Sequence, residues 1–212
     1  MSSSSPAAAL DAENLTCIRD DRTLFSDLSF RVESGQALVV SGRNGSGKTT
    51  LLRTLSGMRM PDEGNIRWCG DDIYRLGSDY NACTAYVGHR DGSKLDLTPL
   101  ENLAFVRSLG DPNPDLQPAQ ALATVDLAGF EDVATRNLSA GQQRRLALAR
   151  LLITRAPLWI LDEPFTSLDT HGIAIVEELA HNHLVNGGML VVTSHHMVNL
   201  DSTAVIHLNL SA

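Results

Sequence analysis

Gly42-Arg43-Asn44-Gly45-Ser46-Gly47-Lys48-Thr49 is the stretch on which the reading turns. It meets the pattern G-x-x-x-x-G-K-[ST] at every fixed position, the sequence form of a P-loop. Glycines let backbone N–H groups close around phosphate oxygens, and a helix that begins where the loop ends adds its positive N-terminal pole. Lys48 would reach the β- and γ-phosphates, the Thr49 hydroxyl would bind Mg²⁺, and Thr50 follows at the start of the helix. The flanks supply the context such a loop needs. ALVVSG (37–42) is a compact apolar run of the buried-strand type, and TTLLRTLSG (49–57) spaces Leu51, Leu52 and Leu55 helically, with Gly57 as the cap. Strand, glycine loop and helix are predicted, and a glycine turn that binds nothing does not account for that order.

Outward from the loop, the first ten residues (MSSSSPAAAL) read as a flexible Ser/Ala tail, and residues 11–212 as one domain. LTCIR precedes LFSDLSFRVE, where alternating Leu28, Phe30 and Val32 predict a strand with one buried face. Asp62 to Ile73, with Gly64 and Gly70, reads as a hairpin ahead of the strand-like TAYVG. LTPLENLAFVRSL then opens on Thr98, Pro99 and Glu101, a capping box with proline at the first helical position. A proline-rich connection (112–118) leads to a second predicted helix, AQALATVDLAGF, so about 90–137 is expected as a helical lobe inserted into an α/β core. Beyond it, AGQQRRLALARLLIT is a predicted helix, PLWILDE a strand, AIVEELAHNHLV a helix, GGMLVVTSH a strand and AVIHLNL a last strand. That alternation predicts a mostly parallel sheet with ligands at the strand C-terminal ends.

Composition narrows the function classes. Hydrophobic residues make up 43% and charged residues 20%, the balance of a globular chain with a core. Seventeen Lys+Arg against 25 Asp+Glu give a net charge of −8, which argues against a broad nucleic-acid surface but not against one local phosphate pocket. Cys17, Cys69 and Cys83 are odd in number and form no C-x-x-C, so neither a disulfide framework nor structural zinc is expected; reduced thiols, packed as small buried hydrophobes, are. The N-terminus does not read as a signal peptide, and no apolar run approaches the roughly 18–20 residues of a membrane span.

A second chemical element is Leu158-Trp159-Ile160-Leu161-Asp162-Glu163. Four apolar residues make a buried strand that delivers Asp162 to its C-terminal end, where it would hold Mg²⁺ directly or through water. Glu163 has no such structural need, and a carboxylate there would orient and deprotonate an attacking water. His195, after the next predicted strand, is placed to contact the γ-phosphate. His181 and His183 stand two apart on a predicted helix and do not face one another, so a transition-metal site is not expected.

Leu138-Ser139-Ala140-Gly141-Gln142 precedes the long helix, and Ser139 with Gln142 fits a capping box. Beside a P-loop, and twenty residues ahead of Asp162, it resembles the LSGGQ signature of ABC ATPases, with Ala140 in place of a glycine. Ser167-Leu168-Asp169 resembles the family's D-loop and His195 its switch histidine. The resemblance spans nearly the whole chain and implies a P-loop NTPase core of the ABC ATPase α/β type, with an inserted helical subdomain and a small antiparallel β subdomain. By position it makes Lys48, Thr49 and Asp162 ligands of nucleotide and Mg²⁺, Glu163 the catalytic base, and Ser139, Gly141, Gln142 and Asp169 part of the nucleotide-binding set. Ser139 and Gly141 would face the γ-phosphate of ATP held by a second subunit. Two copies would therefore pair head-to-tail around two nucleotides.

Two positions depart from that pattern. Arg19 stands where an aromatic residue usually stacks on adenine; it either stacks through its guanidinium or pairs with Asp20 or Asp21. His89 replaces the Q-loop glutamine and could join Mg²⁺ only when neutral. YVGHR, LTPLENLAF, LSAGQQRRLALARL and LWILDEPFTSLD together look like the CcmA-type ATPases of cytochrome c maturation. That likeness implies a peripheral subunit on the cytoplasmic face of a bacterial inner membrane. Its implied partners are CcmB-like and CcmC/CcmD-like membrane subunits and, indirectly, a haem chaperone; no residue here specifies haem. An ABC ATPase acting on DNA, RNA or ribosomes would carry a coiled-coil insertion or a duplicated cassette, and a small P-loop kinase would not explain LSAGQ, SLD and His195 together. An assembly module that hydrolyses nothing is disfavoured by Glu163.

Overall fold

The computed structural model describes residues 8–109, 111–194 and 204–211. β1 (Ala9–Arg19) and β2 (Arg22–Glu33) pair antiparallel through Asp20 and Asp21, both at positive φ (50° and 58°), the backbone that a two-residue hairpin turn demands. β1 begins at Ala9, so the expected tail is two residues too long at its end; Ala9 and Leu10 are buried because they pair with Glu33 and Val32. β3 (Ala37–Ser41) runs into the glycine loop and α1 (Lys48–Leu55) leaves it. β4 (Glu63–Trp68) and the short β5 (Asp71–Asp72) then complete a four-stranded sheet in the order β2-β1-β4-β5.

The hairpin expected over 62–73 forms from β4 and β5, and Gly64 lies inside β4 at φ +89°, crossing the irregular stretch of β1. A Cβ there would stand 2.4 Å from the carbonyl oxygens of Glu13 and Asn14. Two short helices follow, α2 (Ile73–Leu76), capped by the Asp72 carboxylate, and α3 (Ser78–Cys83).

β6 (Thr84–Val87) opens the far edge of the second sheet. α4 (Pro99–Leu109) starts at the expected reciprocal cap: Thr98 N–H donates to Glu101 and Glu101 N–H to the Thr98 hydroxyl, at 2.8 and 3.2 Å. α5 (Pro118–Thr124) is shorter than the run 119–130 expected, because Asp126 turns to positive φ (56°) and Leu127 N–H bonds back to Leu122. A 3₁₀ turn at Thr135–Asn137 leads into α6 (Ala140–Leu152). β7 (Leu158–Asp162), α7 (Thr170–Val185), β8 (Met189–Thr193) and β9 (Val205–Asn209) finish the order.

β6, β7, β8, β3 and β9 form a parallel sheet in that spatial order. Its central strands, β7, β8 and β3, are apolar at successive positions because both faces are covered. Val39, Trp159, Leu161, Leu190 and Val192 face a core shared with α6, α7 and the helical lobe. Leu38, Val40, Leu158, Ile160 and Val191 face the other, shared with α1 and the antiparallel sheet. Leu51, Leu52 and Leu55 of α1 are fully buried there, each burial favouring the fold by about 1.5–3 kcal/mol. His183 of α7 lies flat on Trp159, ring centroids 3.9 Å apart and 8° from parallel. Contrary to expectation, Cys69 is exposed at the hairpin tip; Cys17 is buried and Cys83 half-buried, all three as free thiols. Among the described residues, no helix is long and apolar enough to cross a membrane.

Candidate active site

The parallel order places β8 between β3 and β7, so the glycine loop and Asp162 arrive at one edge of the sheet on either side of Thr193. The loop folds over the N-terminus of α1, with Gly47 as cap at φ +100°. Only glycine suits that position, because a Cβ would also come within 3.0 Å of Leu24 and 3.2 Å of Phe25. A cleft of about 730 Å³ opens there, walled by Arg43, Asn44, Gly45, Gly47, Lys48, Thr49, Thr50, Asp162 and Glu163, with Arg19 and His89 on its rim. That volume suits a nucleotide-sized ligand.

Lys48, only 8% exposed, extends along the loop: its ammonium donates to the Gly42 carbonyl at 2.8 Å and stands 3.9 Å from a Glu163 carboxylate oxygen. Gly42 and Ser46 lie behind the wall rather than on it, and the Ser46 hydroxyl is buried with no hydrogen-bond partner among the described residues. A cation and a helix N-terminus converging on one glycine loop fit a polyphosphate.

Asp162 is 1% exposed and held on both oxygens. Thr49 Oγ1 donates to Oδ2 and Thr193 Oγ1 to Oδ1, each at 2.8 Å, while the Glu163 N–H donates to Thr193 Oγ1 at 2.9 Å. Hydroxyl and carboxylate oxygens side by side are the hard donors that Mg²⁺ prefers, so Thr49 and Asp162 fit that ion. Glu163 itself sits at φ +50°, a backbone that costs a non-glycine residue on the order of 1–3 kcal/mol and persists only where its surroundings fix it. On β6, burial and the charge of Asp162 push the Tyr86 phenol up from its ordinary value.

The main-chain restraint comes partly from a residue that sequence reasoning missed. Arg144 of α6 is 3% exposed. Its Nη2 donates to the carbonyls of Asp162 (2.8 Å) and Glu163 (2.9 Å), and its Nε to that of Pro164 (3.2 Å). Nη1 reaches the Gly88 carbonyl (2.8 Å) and the Asp91 carboxylate (3.0 Å). Arg150, whose burial lowers its pKa while Asp91 raises it, holds the Asp91 carbonyl at 2.9 Å. Thr193 was missed as well, reading as the polar end of an apolar strand.

The signature-like residues are elsewhere. Ser139 and Gln142 cap α6 reciprocally, at 2.8 and 3.2 Å, and Asp169 caps α7 by accepting from Gly172 N–H at 2.8 Å. Gly141 backs onto the Ser167 carbonyl, which a Cβ would meet at 2.9 Å. None of these four lines the cleft that holds Lys48 and Asp162. Arg19 stands 3.5 Å from Asp20, both side chains largely exposed, and faces Arg22 across the hairpin. His195 lies outside the described residues.

A model of the ABC transporter family matches residues 25–166. The chain is 52% identical over 194 residues to the cytochrome c biogenesis ATP-binding export protein CcmA of Methylococcus capsulatus, covering 91% of this chain and 94% of that one. With the CcmA proteins of Nitrosomonas europaea and Escherichia coli K12 the identities are 48% and 45%, over 98% and 95% of this chain and 98% and 96% of theirs. Two solved structures share the fold. An ATP-binding subunit of an ABC transporter superposes with TM-score 0.84 at 21% identity, over 95% of this chain and 86% of that one. An ABC transporter ATP-binding protein from Pyrococcus furiosus gives 0.82 at 24%, over 95% and 97%. The phosphate cleft, the carboxylate pair on its wall and these likenesses agree: the chain belongs to the ABC transporter family, as one of its ATP-binding, ATP-hydrolysing subunits.

Proposed function

We propose that this chain is the ATPase of a membrane complex of the cytochrome c maturation type and that it works as a head-to-tail dimer closed on two ATP molecules. The observation that carries the dimer is the separation just described: Lys48, Thr49, Asp162 and Glu163 share one cleft, while Ser139 and Gly141 stand outside it. A second copy facing the cleft would present Ser139 and Gly141, with Gln142 and Asp169 beside them, to the γ-phosphate bound by the first.

In that arrangement Gly42 to Thr50 wrap the phosphates, and Lys48 leaves the Gly42 carbonyl for the β- and γ-oxygens. Thr49 and Asp162 would hold Mg²⁺, with His89 as a further candidate ligand, and the ion would supply charge neutralisation for the phosphates. Glu163 Oε takes a proton from water as the water oxygen bonds to the γ-phosphorus and the bond to the ADP oxygen breaks, leaving ADP and phosphate. By the family resemblance, His195 would contact the γ-phosphate. Arg19 stands beside Asp20, and its guanidinium would cover the adenine face, worth about 0.5–2 kcal/mol, only by leaving that carboxylate. His89 links the nucleotide to the helical lobe.

Opening and closing of the pair would drive membrane-embedded partners, CcmB-like with CcmC- and CcmD-like subunits, from the cytoplasmic face of a bacterial inner membrane. The step served is release of a haem-loaded chaperone or movement of haem. This assignment rests on the 45–52% identity to CcmA proteins over most of the chain. Affinity purification of the tagged chain from membranes tests it: recovery of two or more such membrane subunits, with a haem-binding partner, is expected. Recovery with permease subunits of an unrelated transporter would overturn the cytochrome c assignment and leave the ATPase assignment standing.

A further inference from the structure

Arg144 touches neither nucleotide nor metal in the proposed reaction, yet its guanidinium makes five hydrogen bonds. A buried arginine that needed only a counterion would set its fork on one carboxylate. Here four of the five hydrogen bonds go to main-chain carbonyls, and they belong to two separate segments. One segment, 162–164, carries the Mg²⁺-binding and water-activating carboxylates. The other, 88–91, flanks His89, and Asp91 supplies the fifth bond. All donors of the guanidinium are thereby used.

The anchor point gives this clamp its meaning. Arg144 stands five residues beyond Ser139 on the same helix, about 7.5 Å along its axis. A helix moves as a rigid body over that length, so any shift of its N-terminal turn is passed to three consecutive carbonyls of the catalytic segment. Glu163 is the residue most sensitive to it. Its positive φ is held from both sides, by Thr193 on its N–H and by Arg144 on its C=O.

We propose that Arg144 is a positioning residue that ties each subunit's own Glu163 and His89 segment to the helix meeting its partner's nucleotide. Glu163 is then correctly placed only when the facing site is occupied. The idea rests on the dimer reading above and adds to it a route by which one site senses the other.

The test uses the full chain with Arg144→Gln and Arg144→Lys. Three quantities are measured: affinity for a fluorescent ATP analogue at protein dilution, kcat and KM for ATP, and ATP-driven dimerisation by light scattering in a Glu163→Gln background. Affinity and dimerisation should stay within twofold of the parent. Turnover should fall roughly 30- to 100-fold, the scale expected of a misplaced catalytic group. Arg144→Lys should remain nearly as slow, since one ammonium cannot bridge both segments. A kcat within threefold of wild type, or full rescue by lysine, overturns the proposal. Should Arg144→Gln fail to fold, Asp91→Asn carries the test: a kcat lowered at least fivefold with binding intact supports the clamp, and an unchanged kcat overturns it. If the Glu163→Gln parent itself never dimerises with ATP, the sandwich reading fails, and the coupling role of Arg144 fails with it.

Discussion

Replacing Thr193 by valine removes a single hydroxyl from the most enclosed point of the site. Thr193 is fully buried, and its Oγ1 both donates to Asp162 Oδ1 at 2.8 Å and accepts the Glu163 N–H at 2.9 Å. Valine fills the same volume, so no cavity term enters. Two losses remain. The bond to a carboxylate is worth about 1.5–3 kcal/mol, and a buried N–H left without an acceptor costs about 1–3 kcal/mol. Part of each is recovered by relaxation, so a destabilisation of about 2–5 kcal/mol is expected, or roughly 5–15 °C in Tm for a chain of this size. The Asp162 carboxylate would then lose one of its two hydroxyl donors and Glu163 the acceptor of its N–H, so kcat should fall about tenfold or more, the order lost with one preorganising hydrogen bond. Thr193→Ser keeps the hydroxyl and should restore most of both properties. Thermal unfolding by circular dichroism, beside steady-state ATPase rates, reads the series. A Thr193→Val protein that melts within 2 °C of wild type and turns over at its rate would refute the claim that this hydroxyl organises the carboxylates.

Other perturbations follow from the same geometry. Burial pushes His183 down to about 4 against roughly 6.5 in an unfolded chain, so the folded state binds fewer protons between those values. Its stabilisation is complete above about pH 6.5 and is lost as the pH falls toward 4; urea titrations at pH 7.5 and 5 should show about 2 kcal/mol of the decline absent in His183→Gln, and parallel curves would contradict it. Gly64→Ala should destabilise by more than about 3 kcal/mol, since its Cβ would meet two carbonyl oxygens at 2.4 Å at φ +89°. Gly70→Ala, at φ +92° with open space around it, should cost only about 1–2 kcal/mol in the same urea assay, and equal costs would refute the steric account. His89→Ala should weaken MgATP-dependent turnover and its stimulation by membrane partners; unchanged values for both would remove His89 from the site.

Much of this was legible in the sequence because its signals are local. The glycine loop, the apolar run ending in Asp162 and the capping boxes at Thr98 and Ser139 each depend on spacings of a few residues, and each folds as the spacing requires. Thr193 and Arg144 were not legible. Thr193 matters only because β8 lies beside β7 with Thr193 opposite Asp162, a fact of strand order. Arg144, within QQRRLAL, reads as part of a polar helix face; what it touches lies 18 to 56 residues away in the chain. The second helix of the lobe was overextended because a left-handed Asp126 leaves no mark in an otherwise helical composition. The hairpin of 62–73 was legible too, but not the demand on Gly64, which comes from a neighbouring strand and leaves no local mark.

A shared active site requires that one ATP be gripped by two copies of the chain. Light scattering on Glu163→Gln with MgATP measures this directly. A particle of twice 22.9 kDa should form with ATP, fall apart with ADP, and be absent when Gly141 is replaced by aspartate. A Glu163→Gln chain that binds ATP yet stays at 22.9 kDa, beside wild-type protein whose specific activity is independent of concentration, would contradict it.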